Sequence, residues 1–398
     1  MKQQKISQIL TVVLFVLPLV LGIVLFIALP DKDFSEEENR NLQTLPKLTW
    51  KSLSDGKFGS DVNEYFADQF PMRDALVGIK GVAELALGKQ GNNGVVLGKD
   101  GVLAVRWFDA YKDRLTRVYD TDYYAKDSVT AQTDALNKLS ADLEAQGIAL
   151  TVIIPPRTLD VYSASIYYPG NAADAVWEDI AQGLDGSVNY IDLRKVMQTA
   201  TEQGEYVYYR TDHHWTTKGA YLAYTELMRA WDKESEILPE DRFEIETVSG
   251  FYGTTWSRAG FKFIAPDSLE IWHFAGEEDY TVTDPDTGKS FTGFYNREYL
   301  AKKDKYSVFL DGTHGTLTVK KNTDEPRQTL LVLKDSFFNS TAPFLAQHYD
   351  LVVVNLSVGG VKPISTYIEQ YGCDGVLIMY NGENVIENNA IATLTYQK

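Results

Sequence analysis

The chain has 398 residues, 44% of them hydrophobic, enough for one large domain or two modest ones with a substantial core. A formal net charge of −17 excludes nucleic acid and anionic membrane surfaces as electrostatically favoured partners, and leaves an uncharged polymer such as a polysaccharide open. The single cysteine, Cys373, excludes an internal disulfide framework and a cysteine-rich metal site.

Residues 9–29 carry no charge, about the 20 residues that a helix needs to cross a bilayer. Lys2 and Lys5 precede the run, and Asp31, Asp33, Glu36, Glu37 and Glu38 follow it. The positive-inside bias therefore puts the N-terminus in the cytoplasm and the chain from about residue 31 outside. The run is long for the apolar region of a signal peptide, and Ala28-Leu29-Pro30 lacks a small-x-small cleavage pattern, so an uncleaved anchor is favoured over a cleaved leader. Residues 37–46 read as an extended linker. Phe58, Val62, Tyr65 and Phe66 then recur at helical spacing, Pro71 interrupts, and Leu76, Ile79, Val82, Leu85 and Leu87 mark a second amphipathic helix ending near Gly88. Gly91-Asn92-Asn93-Gly94 is turn chemistry ahead of the apolar run 95–97. Residues 31–120 are expected to be linker and wrapping helices, and residues 121–398 the catalytic domain.

From residue 128 helix and strand patterns alternate, the signature of a parallel α/β sheet. Ser128 can cap a helix presenting Ala131, Ala135, Leu136, Leu139 and Leu143, which Gly147 ends. Residues 148–154 read as a buried strand stopped by Pro155-Pro156-Arg157, and 190–193 as a second strand. Thr216 or Thr217 caps a helix presenting Ala220, Tyr224, Leu227, Met228 and Trp231. Residues 235–325 break the alternation and predict a mostly β insertion, with Asp284-Pro285-Asp286-Thr287-Gly288 as a hairpin turn. Strands at 329–333, 351–354 and 376–380, with a helix over 344–348, resume it.

Two stretches carry chemistry. Arg210-Thr211-Asp212-His213-His214-Trp215-Thr216-Thr217-Lys218-Gly219-Ala220 concentrates an acid, two imidazoles and a helix start. Side chains alternate in an extended segment, so Asp212 and His214 should share a face while His213 points away. A carboxylate that orients an imidazole is half of a nucleophilic triad. The nucleophile is sought in Lys334-Asp335-Ser336-Phe337, where Ser336 follows a buried strand at the carboxyl edge of the sheet. The plainer reading is that Ser336 or Asp335 only caps the next helix.

The Thr211-to-Ala220 segment and Lys334-Asp335-Ser336-Phe337 together resemble the DHHW protein family, related to the alginate O-acetyltransferase-like branch of the SGNH hydrolases. Weaker support comes from Glu38-Asn39-Arg40 with Leu45-Pro46, Gly98-Lys99-Asp100-Gly101, Pro155-Pro156-Arg157, and Lys303-Asp304-Lys305-Tyr306 with Phe309. The resemblance implies a three-layer α/β/α, flavodoxin-like parallel sheet in circularly permuted order. Strands 329–333, 351–354 and 376–380 would then be its first three and 148–154 and 190–193 its last two. It implies Asp212, His214 and Ser336 as catalytic residues, with oxyanion donors from Gly359, Gly360 or Asn381. It also implies a polysaccharide acceptor and a polytopic membrane acyltransferase that passes the acetyl group across, because an exported domain has no access to cytoplasmic acetyl-CoA. No cofactor is called for.

Competing readings attach to the same residues. Asp212, His213 and His214 could bind a metal, but adjacent histidines in a strand diverge, which disfavours it. His213 alone reads as packed or hydrogen-bonded. Trp215 is a core residue or a shield for the imidazole, and Arg157 and Arg258 either orient an acidic sugar or form surface salt bridges. Tyr123, Tyr124, Tyr167, Tyr168, Tyr208 and Tyr209 are candidate sugar platforms, although most of the 24 tyrosines must be structural. Water in place of a sugar hydroxyl would make the chain a carbohydrate acetylesterase. A non-catalytic glycan-binding module, or a protease or thioesterase with the same triad, completes the alternatives.

Overall fold

The uninterrupted apolar run folds as helix α1 (Lys2–Ala28), whose Leu10–Ala28 segment has a mean hydropathy of 3.1 and no buried residue. It is long and apolar enough to cross a membrane. The computed structural model describes residues 2–35, 37, 40–89, 91–105, 126–166 and 172–397. Glu36, Glu38, Asn39 and the candidate platforms Tyr123, Tyr124, Tyr167 and Tyr168 lie outside them. Two compact units emerge, Met1–Lys89 with Gly260–Lys262, and Gln90–Ala259 with Phe263–Lys398.

In the first unit, the helical spacings become α2 (Lys57–Asp68) and α3 (Arg73–Ala86), separated at Pro71. Asp68 is buried and accepts from Arg40 Nη1 and Nη2 at 2.9 and 2.5 Å and from the Gln43 N–H at 2.8 Å, which ties the extended segment to α2. Those bonds, led by the Arg40 guanidinium, hold its carboxyl below the usual range. Helix α3 turns its glycine edge inward: Gly78 and Gly81 are buried, and a Cβ on Gly78 would lie 3.1 Å from the Lys262 side chain. Its apolar stripe, Leu76, Ile79 and Val82, faces outward.

The second unit is built on one eight-stranded sheet. Helix α4 (Lys126–Glu144) starts two residues before the expected cap and leads to β1 (Ala149–Ile153). Helix α5 (Ala172–Gly183), β2 (Asn189–Ile191), α6 (Arg194–Glu202) and α7 (Thr217–Ala230) follow. Thr216 caps α7, its hydroxyl accepting the Gly219 N–H at 3.2 Å. Strands β3 (Glu244–Phe251) and β4 (Asp267–His273) pair, among the described residues, only with each other. Then come β5 (Tyr280–Thr283), β6 (Ser290–Thr292), β7 (Thr316–Lys321), β8 (Thr329–Lys334), β9 (Asp350–Asn355), α8 (Ile364–Tyr371), β10 (Gly375–Met379) and α9 (Gly382–Glu387). The sheet order is β6-β5-β7-β9-β8-β10-β1-β2, and the last five strands are mutually parallel.

Counted from β8, those five strands read 2-1-3-4-5, the flavodoxin-like order that the permutation requires. The expected β insertion divides: β3 and β4 form a two-stranded sheet of their own, and the rest joins the main sheet. Its strands β5, β6 and β7 continue the sheet antiparallel along β9, covering an edge that would otherwise offer unpaired amides and carbonyls. The expected turn joins β5 to β6, with Asp284 Oδ1 accepting from the Asp286 and Thr287 N–H groups and Gly288 at φ 71°. Along β8, Leu330 and Val332 pack with α7 on one face, and Leu331 and Leu333 with α4 and α5 on the other. Burial of both faces at period two makes the three layers.

Arg157 departs from both of its sequence readings. It is 2% exposed, and its Nε and Nη2 donate to Asp160 at 2.8 and 2.5 Å, closing the turn that stops β1. A buried, bidentate pair is a structural element and not a surface bridge. Arg157→Ala should therefore cost roughly 3–5 kcal/mol in urea unfolding by leaving Asp160 uncompensated, and the Arg157→Met/Asp160→Leu pair considerably less. Equal losses in the two variants would contradict this.

Candidate active site

The Asp-His-His segment is not extended. Residues 210–214 are a run of bends, closed by Tyr209 N–H to the His214 carbonyl at 3.2 Å and Thr216 N–H to the Val207 carbonyl at 2.9 Å. Side-chain alternation therefore fails, and the rings of His213 and His214 lie beside each other with centroids 3.9 Å apart. Asp212 and His214 pair for a different reason. Asp212 Oδ1 accepts the His214 backbone N–H at 3.0 Å, a local turn that aims the carboxylate at the ring, and accepts Nδ1 at 2.5 Å. With Nδ1 donating, Nε2 is the acceptor, and it lies 2.6 Å from Ser336 Oγ.

Ser336 arrives from β8. Asp335 Oδ1 accepts the Phe337 N–H at 3.0 Å and starts a 3-10 turn, Ser336–Ser340, so the capping reading holds for Asp335 while Ser336 projects to the histidine. Trp215 is fully buried and donates from Nε1 to the Phe337 carbonyl and to Ser340 Oγ, both at 3.0 Å. It is thus core and also clamps the turn that carries Ser336. The Tyr306 ring stacks on the His214 imidazole, centroids 3.8 Å apart and planes 10° apart, and its hydroxyl reaches Ser340 Oγ at 3.1 Å. The imidazole plane is fixed by a neighbour on each chain segment.

Asp212 is saturated. Its second oxygen accepts the Thr254 N–H at 2.7 Å and Thr254 Oγ1 at 3.0 Å. Because the single Thr254 hydroxyl proton goes to Asp212, the 2.8 Å contact between His213 Nδ1 and Thr254 Oγ1 must be donated by His213. Burial opposes ionisation of Asp212, but the imidazoles of His214 and His213 and the Thr254 N–H outweigh it and hold the carboxyl well below the usual range. Burial, and then the neighbouring His214, pushes His213 down and keeps it neutral. A Cβ on Gly253 would fall 2.3 Å from Asp212 Oδ2, so only glycine fits there.

Other expected site residues fare differently. Asn381 caps α9 through the Glu383 N–H at 2.8 Å and donates Nδ2 to the Pro155 carbonyl at 3.0 Å, so its side chain is a strut between strand ends. Gly359 and Gly360 are exposed at positive φ in the loop after β9, and among the described residues no hydrogen bond joins them to the site. Tyr208 and Tyr209 are fully buried and cannot serve as sugar platforms. The geometric objection to a metal also fails, since one donor atom from each of Asp212, His213 and His214 lies within 4.8 Å of the others. Both Asp212 oxygens, both His214 nitrogens and His213 Nδ1 are, however, engaged in the hydrogen bonds above. Sequence reasoning missed Gly253 and Thr254, which sit in the stretch assigned to the insertion, and gave Tyr306 no role beyond a weak motif.

A cavity of about 230 Å³ opens beside His213, lined also by Thr254, Arg258, Asn381, Glu383 and Asn384 among others. Arg258 is exposed there, its Nε donating to the Asn93 carbonyl at 2.9 Å. Burial pushes the Glu383 carboxyl up to about 7.

A serine at the carboxyl end of the first strand of a 2-1-3-4-5 sheet, with an Asp-His pair against it, sits in a three-layer α/β/α fold of SGNH-like form. Residues 96–257 match the family described as the SGNH hydrolase-like domain of the acetyltransferase AlgX. The chain is 27% identical over 179 residues to a protein named probable alginate O-acetylase AlgJ from Pseudomonas syringae, covering 44% of this chain and 43% of that one. It is 24% identical over 197 residues to its namesake from Pseudomonas putida, covering 49% and 48%. The matched part is thus under half the length of these relatives. Among solved structures, a DHHW family protein from Eubacterium siraeum superposes with a TM-score of 0.60 at 19% identity, covering 77% of this chain and 97% of that one. Bacillus cereus PatB1, solved with a sulfonyl adduct, gives 0.61 at 18%, covering 76% and 97%. The likeness to DHHW proteins and to the alginate O-acetyltransferase-like SGNH hydrolases stands on these findings.

A carboxyl raised in the folded state contributes stability below its unfolded value near 4.3 that is lost as pH rises through about 7. Glu383→Gln removes that loss. Its stability, followed by melting temperature, should gain on wild type between about pH 5 and about pH 8, by roughly 2–3 kcal/mol. A difference independent of pH would contradict the assignment.

Proposed function

We propose that this chain is a membrane-anchored, extracytoplasmic O-acetyltransferase that moves an acetyl group onto hydroxyls of a cell-surface or secreted polysaccharide. The observation that carries the reading is the relay through one imidazole, Asp212 to Nδ1 at 2.5 Å and Nε2 to Ser336 at 2.6 Å. The matches to AlgX-type and AlgJ-type acetyltransferases support the reaction class. The apolar helix α1 supports the anchoring.

In the first step Ser336 Oγ attacks the carbonyl carbon of an acetyl ester while His214 Nε2 takes its proton. Asp212, ionised and held by four donors, stabilises the imidazolium without taking a proton. The oxyanion is met by the Ser336 N–H, which opens the 3-10 turn ahead of its first internal bond. Collapse breaks the ester bond, His214 returns the proton to the departing oxygen, and acetyl-Ser336 remains. A sugar hydroxyl then enters through the cavity at His213, gives its proton to His214, and attacks the acetyl carbon. Serine leaves with the proton from His214, and the enzyme is restored. The acetyl donor is supplied by a polytopic membrane acyltransferase, since acetyl-CoA is cytoplasmic.

Acetyl transfer from a chromogenic ester to oligosaccharides, followed by mass spectrometry, tests this. Ser336→Ala and His214→Ala should lower turnover by roughly 10⁴-fold or more, with acetyl-enzyme absent from the serine variant. His213→Ala, one bond further from the reaction, should retain activity within about tenfold. Full activity in Ser336→Ala would sink the proposal, and acetate release without sugar acetylation would make the chain an esterase.

A further inference from the structure

Helix α3 is amphipathic in the inverted sense. Its buried edge is Gly78 and Gly81, with Arg73, Asp74, Val77, Glu84 and Leu85 half-buried on that side, while Leu76, Ile79 and Val82 face outward and Ile79 is 65% exposed. Met72 before it and Leu87 after it extend the same apolar surface. Lys80 interrupts it, and a lysine stem can lie along an apolar surface while its ammonium reaches water. Such a surface next to polar solvent loses the stabilisation that burial would give.

Helix α1 packs beside the turn that leads into α3. Phe26 of α1 stacks on Phe66 with centroids 5.3 Å apart and meets the edge of Tyr65 at 5.9 Å. Further into α1, a Cβ on Gly22 would lie 3.3 Å from the Phe70 ring. Gly22 is six residues inside Ala28, where the apolar segment ends, which at 1.5 Å per residue is about 9 Å along the helix axis. The junction between α2 and α3 is therefore level with the outer end of the spanning segment and not above it. That depth matches the roughly 5–10 Å to which interfacial helices sink.

We infer that α3 lies in the outer interface of the lipid bilayer, with Leu76, Ile79 and Val82 inserted among the acyl chains beside α1. The inference rests on the proposed anchoring by α1. With the anchor and α3 both held by lipid, the first unit has a fixed orientation on the membrane instead of hanging from one flexible tether.

The test uses the full chain in phosphatidylcholine–phosphatidylglycerol nanodiscs, with a small fluorophore on Ile79→Cys and, separately, on Leu17→Cys within α1. The native Cys373 is buried, and unlabelled wild type checks that it stays unreactive. Shallow acyl-chain nitroxides should lower emission from position 79 by roughly twofold or more, while iodide in the buffer has little effect. Iodide quenching at 79 without lipid quenching, alongside lipid quenching at 17, overturns the inference and leaves the anchor intact. Protection of 79 from both quenchers means a protein partner and overturns it too. Absence of lipid quenching at position 17 removes the anchoring and the inference together.

Discussion

The Asp212 carboxylate is the constraint on which the site depends. Four donors converge on it, the His214 backbone and ring, and the Thr254 backbone and hydroxyl, and they come from two segments about forty residues apart. A carboxylate so surrounded stays ionised although it is buried, and an ionised partner fixes the proton on His214 Nδ1. The tautomer then leaves Nε2 as an acceptor facing Ser336. His213 strengthens the same carboxylate indirectly through the Thr254 hydroxyl. Gly253 leaves the space in which this cluster closes, so its lack of a side chain is a requirement of the site.

The serine is set by topology. In a 2-1-3-4-5 sheet the connections leave the first and third strands in opposite directions, which opens a crevice at their carboxyl ends. Asp335 bridges that crevice, accepting the Asn381 N–H at 2.6 Å and Asn384 Nδ2 at 2.8 Å while capping the turn that displays Ser336. Permutation changes the order of the chain but not this geometry. The Asp-His segment precedes α7, and Trp215 locks it to the Ser336 turn from the core side.

Much of this was legible in the sequence, for reasons that can be named. Strands buried on both faces read as apolar runs, so β1, β8, β9 and β10 stood out, and Thr216 announced the start of α7. The motif residues were found, but one route to them was unsound: alternation along an extended strand selected His214, whereas the segment is a bend in which both imidazoles lie on the same side. Gly253, Thr254 and Tyr306 were invisible because their value lies in where a distant segment comes to rest. Arg157 was misassigned because buried ion pairing uses the same polar groups as substrate binding, whereas Asn381 lies on the cavity wall with its side chain spent on capping α9 and holding Pro155. Of the stripe read for α3, Leu76, Ile79 and Val82 face outward, whereas Leu85 is half-buried on the side of the glycine edge.

The relay from Asp212 through His214 to Ser336 is tested by the rate at which a sulfonyl fluoride modifies the full-length chain, followed by intact mass and peptide mapping. A single adduct on Ser336 is expected, formed roughly 10³-fold or more slowly in Asp212→Asn, where the histidine loses its tautomer. Modification at another residue, or an unchanged rate in Asp212→Asn, would contradict it.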